Sequence, residues 1–277
     1  MMNSKFRIKL LLISHPTKPI MKKSLFFNCI ASLILLPLAS KAQENYEIQV
    51  YSSETTEKGV TMLELHSNFT LDGSTTTVND VLPTNHIFHE TVEITHGFND
   101  WFEIGFYFFN ALGDQQRSNY VGSHIRPRVA APESWKLPVG LSLSAEFGFQ
   151  NLHYCEDDWT VEIRPIIDKK FKNLYISFNP TVDRSLHGAN QNSGFVFSPN
   201  FKIDYEIKKA IAPGLEYYGS VGPFSHFDAF DEQQHTVFLS FDILGMEKWE
   251  LNFGYGLGFT RSTDSSIFKV ILGRKFK

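Results

Sequence analysis

Hydrophobic residues stand at every second position over long stretches of this chain. In residues 138–150 (PVGLSLSAEFGFQ), one set of alternate positions holds Val, Leu, Ala and Phe, and the other is mainly Gly, Ser, Glu and Gln. Because alternate side chains of a β-strand point to opposite faces, this segment predicts a strand with one apolar and one polar face. A soluble β-sandwich turns the apolar face inward, whereas a membrane barrel turns it outward. This pattern alone fits both.

The same alternation recurs along the chain and predicts twelve strands. Nine segments show it clearly, and residues 88–95, 120–130 and 211–219 show it less regularly. Several segments reach about 10 to 12 residues, which exceeds the usual strand length and matches the length that crosses a bilayer when tilted. The nine clear segments are residues 61–71, 101–112, 138–150, 159–168, 174–183, 195–207, 235–243, 249–260 and 267–276.

The connections between the predicted strands fall into two classes. Those after odd-numbered strands are polar and often long, and those after even-numbered strands are mostly short, with residues 131–138 as the exception. Long loops on one side and short turns on the other are typical of outer-membrane barrels. Trp101, Trp159, Trp249 and Tyr120 open predicted strands, where aromatic rings settle among lipid headgroups. We therefore predict an all-β fold, a transmembrane antiparallel up-and-down β-barrel of about twelve strands, with a soluble β-protein as the alternative.

The first 42 residues have the layout of a secretory signal peptide. Two lysines precede an apolar run at residues 25–38, and small residues then offer a cleavage site before Gln43. The run is too short to span a bilayer. The predicted organisation is a signal peptide at residues 1–42 with Met21 as an alternative start, a periplasmic segment at residues 43–59, and an outer-membrane barrel at residues 60–277.

Without the predicted signal peptide the chain is clearly acidic. Residues 1–42 hold seven of the 26 Lys and Arg residues and none of the 30 Asp and Glu residues, so the net charge falls from −4 to about −11. Phosphate binding needs a basic patch, so we expect no nucleic-acid partner. Cys155 is then the single cysteine, which excludes an intrachain disulfide.

Some residues conflict with a regular barrel. Five prolines fall within predicted strands, where each removes a hydrogen-bond donor, and we expect β-bulges to absorb them. Glu90 and His96 share the lipid-facing parity of Val92, which places polar groups toward lipid unless they lie at the rims. The register of the second strand is therefore the least certain. The prolines are Pro127, Pro165, Pro180, Pro199 and Pro213.

In a barrel, the polar faces of the strands line the lumen. Opposite charges on neighbouring strands lie within pairing distance there. One interpretation is a polar conduit whose charges select solutes, and the other is a self-paired ion network that fills the barrel. Eight strands leave room only for side chains and sixteen leave a channel, so twelve strands keep both interpretations open. The candidate binding residues are Glu64, His66, Glu93, His124, Arg126, Arg128, Glu146, Glu162, Arg164, Asp168, Asp183 and Glu216.

Catalysis and metal binding find little support in the sequence. Ser142 or Ser144 with Glu146 and a lumen histidine would supply the groups of a lipid hydrolase or acyltransferase, but sequence spacing does not place them together. The G-x-S-x-G, P-loop and H-E-x-x-H patterns do not occur. On a strand, His86 and His89 point to opposite faces, which argues against a metal site there. We predict a non-enzymatic barrel without cofactor or metal, with a lipid-modifying enzyme and a closed structural or adhesive barrel as alternatives.

Three stretches carry a family resemblance: HETVEITHGFNDWFEIGFY (residues 89–107), SHIRPR (123–128) and GLEYYG (214–219). They resemble uncharacterised outer-membrane β-barrel proteins of Gram-negative bacteria, in the group of transporters called phenol-degradation MetA-pathway-like proteins. The resemblance covers most of the chain after the predicted signal peptide. It implies export to the outer membrane, contact with its lipid and insertion by the barrel-assembly machinery, and it suggests passage of a small solute. It implies no catalytic or binding residue.

Overall fold

Twelve antiparallel strands form a closed barrel in the computed structural model, which describes residues 45–113 and 116–277. Each strand pairs with its neighbours in the chain, and β12 closes the barrel against β1. The predicted fold class is confirmed, whereas the predicted signal peptide at residues 1–42 lies outside the described residues. The strands are β1 Thr61–Asp72, β2 Phe88–Asn99, β3 Phe102–Gly113, β4 Gln116–Ala130, β5 Gly140–Gln150, β6 Trp159–Phe171, β7 Leu174–His187, β8 Val196–Tyr205, β9 Ile211–Ser220, β10 Gln234–Ile243, β11 Trp249–Gly258 and β12 Ser266–Phe276.

The apolar faces of the strands point outward and the polar faces point inward. Leu141 and Phe147 are 37% and 44% exposed, whereas Arg126 and Glu93 are 2% and 0% exposed. A soluble sandwich has the opposite pattern, because it buries its apolar rows between two sheets. The inverted pattern fits a barrel whose outer surface lies in hydrocarbon. No helix among the described residues is long and apolar enough to span a membrane.

The connections define two ends of the barrel. We call the end with the connections after odd-numbered strands the long-loop end, and the opposite end the short-turn end. The connection between β3 and β4 departs from the prediction, because β4 begins at Gln116 and so includes most of the stretch predicted as a loop. Tyr120 therefore lies within β4 and does not open it. Trp159 and Trp249 open their strands as predicted.

The prolines interrupt hydrogen bonding without shifting the register. The pairing of β4 with β5 skips the positions around Pro127, and that of β6 with β7 skips those around Pro165 and Pro180. Pro180 lies directly opposite Pro199 in the next ladder. The β-bulges expected at these prolines are not there, because losing one donor leaves the strands aligned. Register shifts occur instead away from the prolines.

The second strand has the predicted register, and its two outward polar residues lie toward the rims. Glu90 is near the start of β2 and accepts a hydrogen bond of 2.8 Å from the Ser67 hydroxyl. His96 is near the other end, with its Nδ1 atom 2.9 Å from the Thr61 hydroxyl. Both polar groups have partners on the neighbouring strand.

Residues 45–59, which we call the N-terminal segment, lie inside the barrel. At the long-loop end, the side-chain amide of Asn45 donates to the carboxylate of Asp264, in the connection before β12. At the short-turn end, the Gly59 amide donates to the carbonyl of Gly97 at 2.7 Å. Residues 43–59 were predicted to lie in the periplasm, ahead of the barrel, and the position of residues 45–59 in the lumen was not predicted. It has no regular secondary structure.

Candidate functional site: the lumen

All twelve candidate binding residues face the lumen. Ten are buried, and Glu162 and Asp183 are partly exposed within it. The fold therefore brings together charges from β1, β2, β4, β5, β6, β7 and β9, although they are far apart in the sequence. Binding of a solute by these residues remains a prediction.

One group of buried charges, which we call the arginine network, lies on β2, β3 and β4. Arg126 Nη2 lies 2.5 Å from Glu93 Oε1, and Arg126 Nη1 lies 3.2 Å from Glu103 Oε1. Arg128 Nη2 lies 2.7 Å from the same Glu103 oxygen. Arg126 Nε also donates to the Tyr107 hydroxyl. Buried charges are tolerated only when they are paired in this way.

A second group, the lysine network, lies on β8, β9, β10 and β12. Lys202 Nζ is 2.7 Å from Asp242 and 3.4 Å from Glu216, and it reaches Asp204 at 4.0 Å. Lys269 Nζ donates to Glu216 as well. Lys202, Asp242 and Lys269 were not among the candidate residues. Their positions in the period-two pattern place them on polar faces, which was the available signal.

Side chains of the wall hold the backbone of the N-terminal segment. Asn179 accepts a hydrogen bond from the Tyr51 amide at 2.8 Å and donates to the Tyr51 carbonyl at 3.1 Å. Asp168 accepts from both the amide and the hydroxyl of Ser53 at 2.7 Å. An extended chain without ladder partners needs such contacts, since an unpaired buried backbone group is costly.

Tyr51 is the central contact between the segment and the wall. Its ring lies between three guanidinium groups, those of Arg164 at 4.6 Å, Arg126 at 4.8 Å and Arg128 at 5.7 Å from the ring centroid. Its hydroxyl lies 3.0 Å from the Tyr107 hydroxyl. Cation–π contacts strengthen when they are desolvated, and Tyr51 is 5% exposed.

Two small apolar clusters anchor the segment above Tyr51. The Tyr46 ring packs on Phe109 at 5.6 Å between centroids. Ile48, 2% exposed, packs on Phe238 and Ile267. Both clusters include a residue of the segment, so apolar packing adds to the polar contacts that hold it in the lumen.

Glycine at position 97 permits the close approach of the segment at the short-turn end. A Cβ atom at Gly97 would lie 2.2 Å from the Thr56 carbonyl oxygen and 2.3 Å from that of Glu57. Real Cβ atoms do not come so close to backbone oxygens, so any larger residue at position 97 would displace the segment or β2.

Among the described residues, one cavity lies toward each end of the lumen. The long-loop cavity has a volume of about 280 Å³ and includes Glu47 and Ile48 in its lining. The short-turn cavity has a volume of about 490 Å³ and includes Gln49 and Val50. The N-terminal segment therefore contributes to the walls of both.

Carboxylates outnumber cationic groups in both linings. The long-loop cavity has six carboxylates, one guanidinium and one imidazole: Glu47, Glu146, Glu156, Asp157, Glu162, Asp183, Arg184 and His124. The short-turn cavity has eight carboxylates and three lysines: Glu54, Glu64, Asp168, Asp204, Glu206, Glu216, Asp242, Glu250, Lys170, Lys202 and Lys269.

The serines considered for catalysis do not form a triad. His124 Nδ1 lies 2.5 Å from Glu146 Oε1, which resembles the base and orienting acid of a hydrolase. The hydroxyls of Ser142 and Ser144, however, form no hydrogen bond within the described part of the chain. A nucleophile must be bonded to its base in that mechanism, so this arrangement does not support it.

A closed antiparallel barrel with an apolar outside and a polar lumen defines the outer-membrane barrel class. Among solved structures, the chain is similar to a KdgM porin, with a TM-score of 0.51 and 11% identity over 78% of this chain and 99% of the porin. It is also similar to an outer membrane channel from Pseudomonas putida F1, with a TM-score of 0.51 and 10% identity over 83% of this chain and 100% of the channel.

At such low identity these similarities show the fold, which is that of outer-membrane porin-like barrels. No protein-family model matches the chain, and no curated protein matches it. Membership of the MetA-pathway-like group therefore stays a prediction.

Proposed function

We propose that the protein is an outer-membrane channel for small polar solutes, with a preference for cations, and that its N-terminal segment closes the lumen. The cation preference follows from the carboxylate excess in both cavities, since rings of Asp and Glu favour cations in pores. Catalysis plays no part in this proposal.

The observation that carries the proposal is that the wall charges are paired even without the segment. Arg164 contacts Glu47 of the segment at 3.1 Å, but it also contacts Glu162 of the wall at 2.7 Å. Asp168 binds Ser53 and also accepts from the Tyr175 hydroxyl at 2.8 Å. Arg128 likewise has Glu103 as a wall partner. Removing the segment therefore leaves these buried charges with a partner, and the barrel is expected to remain folded.

The proposal includes an orientation in the membrane. Outer-membrane barrels carry their longer loops outside the cell. With that orientation the long-loop cavity faces the exterior and the short-turn cavity faces the periplasm. The apolar outer face contacts outer-membrane lipid, and insertion depends on the barrel-assembly machinery.

The direct test is conductance in planar lipid bilayers. We expect low conductance from the chain with its segment and a large increase when residues 45–55 are deleted. Both preparations are first checked for a heat-modifiable, β-rich electrophoretic band. Equal conductance of the two folded proteins would contradict closure by the segment.

A milder variant tests the same closure without a deletion. Ser177→Ala with Asn179→Ala removes the wall groups that bind the Tyr51 backbone. The matched control is Thr181→Ala, on the same face of β7, whose hydroxyl bonds its own strand at Asn179. We expect more frequent channel openings in the double variant and unchanged behaviour in the control.

A closed structural or adhesive barrel is the second candidate. It is favoured by the many side-chain contacts that hold the segment in the lumen, because a segment that leaves the lumen easily is expected to make fewer such contacts. It predicts that even the folded deletion variant conducts no ions. That result would place the functional surface at the long-loop end of the barrel.

A further inference from the structure

We propose that Glu64, His66 and Glu93 form a binding site for a divalent transition-metal ion. One ligating atom from each of the three lies within 4.8 Å of the others. Arg126 links the site to the segment, since it pairs with Glu93 and lies over the Tyr51 ring, but the proposed site does not depend on whether the barrel conducts.

The strand register brings the three residues together. Glu64 and Glu93 are directly opposite each other in the ladder of β1 and β2, and His66 is the next inward residue on β1. Like charges directly opposite each other on a sheet are destabilising unless something compensates them. A cation between the two carboxylates would do so.

The distance between His66 and Glu93 fits two ligands of one ion. His66 Nε2 lies 3.3 Å from Glu93 Oε2, and no hydrogen bond of acceptable geometry joins these atoms. Two ligands about 2.1 Å from a tetrahedral zinc ion lie about 3.4 Å apart. The observed spacing is therefore close to one edge of a zinc coordination shell.

Glu64 is the group that points to a missing ligand. It is 7% exposed, and it has no hydrogen bond and no ion pair within 4 Å among the described residues. It lines the short-turn cavity of about 490 Å³, whereas His66 and Glu93 do not, so an ion and its water would approach the site from the Glu64 side. The His66 ring, fully buried, also has no hydrogen-bond partner at Nδ1.

The charges around the site leave one negative charge that a cation would balance. Arg126 bonds Oε1 of Glu93, so Oε2 stays directed at His66. Arg126 and Arg128 together balance Glu93 and Glu103, and Glu64 remains as the unbalanced carboxylate.

The donor set indicates the class of metal. One imidazole and two carboxylates suit zinc and similar first-row ions, whereas calcium takes six to eight oxygen ligands. Three protein ligands leave a fourth position, which water from the cavity would fill. The chemistry therefore favours Zn²⁺ or Co²⁺ over Ca²⁺.

The test is metal binding by the folded, full barrel after treatment with a chelator. We expect Zn²⁺ to bind in isothermal titration calorimetry, and Co²⁺ to give the visible absorption bands of a four-coordinate site. Glu64→Gln is expected to weaken Zn²⁺ binding at this site at least tenfold. This variant removes an unpaired buried charge, so its folding should be intact. His66→Asn is the second variant.

The matched control is Glu146→Gln, which alters a buried carboxylate that also contacts a lumen histidine. Among the described residues, no third metal-ligating side chain lies as close to His124 and Glu146 as Glu64 lies to His66 and Glu93. Equal Zn²⁺ binding by the wild type and both site variants would overturn the proposal, as would Ca²⁺ binding as tight as Zn²⁺ binding. A loss of binding in both site variants, but not in the control, would support it.

Discussion

The two ion networks of the lumen differ in what they contact. The arginine network on β2–β4 packs against the N-terminal segment, with Arg126 and Arg128 beside the Tyr51 ring, and its charged residues line neither of the two cavities described above. The lysine network on β8–β12 lines the short-turn cavity. The arginine network therefore faces mainly the segment. The lysine network also contacts the segment, because Lys269 donates to the Ile48 carbonyl at 3.1 Å, but it faces space for a solute as well.

This difference follows the chemistry of the two cations. A guanidinium group is planar, offers several donors in a fixed geometry and stacks on aromatic rings, which suits a packed interface. An ammonium group is a compact charge with three donors, which suits a group of carboxylates beside water. We infer that the arginine network mainly stabilises the closed lumen and that the lysine network mainly sets ion selectivity.

The largest expected effect is that of Arg126→Met. It leaves Glu93 and Glu103 buried with a cation missing, and breaking such a pair costs about 3–5 kcal/mol. Urea unfolding in detergent, followed by tryptophan fluorescence, measures this loss. Lys170→Met is the control, because that lysine is 57% exposed where it pairs with Glu206 and should contribute less than about 1 kcal/mol. Similar losses of unfolding free energy in the two variants would contradict a stabilising role for the arginine network.

A smaller effect is expected from Gly97→Ala, on the arginine side of the lumen. The new Cβ would overlap the carbonyl oxygens of Thr56 and Glu57 and cost about 1–3 kcal/mol. We expect the segment to detach at the short-turn end, with higher conductance and faster proteolysis before β1.

The control for that variant is Gly273→Ala, another lumen-facing glycine near the same end. The three atoms nearest to its Cβ would all belong to side chains, with Met62 Cε at 3.0 Å and Glu64 Cγ at 3.1 Å the closest. If both variants raise conductance equally, contact with the segment is not the cause.

On the lysine side, Lys202→Met in the segment-deleted channel should raise cation preference. One unit charge about 8 Å from a permeating ion contributes about 0.5 kcal/mol in water, which corresponds to about a twofold change in permeability ratio. Reversal potentials in a salt gradient measure this ratio. Lys136→Met, in the exposed turn after β4, should leave it unchanged, and an equal shift there would argue against the lysine network.

The smallest effect is expected outside the lumen, at Glu90→Gln. This carboxylate faces outward near a rim and bonds only the Ser67 hydroxyl among the described residues, so we expect the free energy of unfolding to change by less than about 0.5 kcal/mol. Glu93→Gln, on the inward face of the same strand, should cost more because Arg126 then loses a charged partner. The reverse order in urea unfolding would mean that β2 faces the other way.

The strand positions and the inside–outside assignment were largely predictable from the sequence. The alternation around Leu141 and Phe147 gave the two faces, and the polar parity gave lumen residues such as Arg126 and Glu93. The start of β4 and the behaviour of the prolines were not predicted correctly. Tyr120 was predicted to start a strand because the residues before it are polar. A proline in the sequence shows that one hydrogen-bond donor is missing, but the sequence does not show whether a β-bulge forms there.

By itself, then, the sequence determined the period of the strands and the side of the sheet on which each residue lies, because both depend on neighbours one or two positions away. Only the tertiary structure decided which charges pair and that residues 45–59 occupy the lumen. The segment's partners are distant in the chain: Tyr51 binds Asn179, 128 positions away, and Ile48 binds Lys269, 221 positions away. No local pattern encodes such contacts, because they exist only after the barrel has closed.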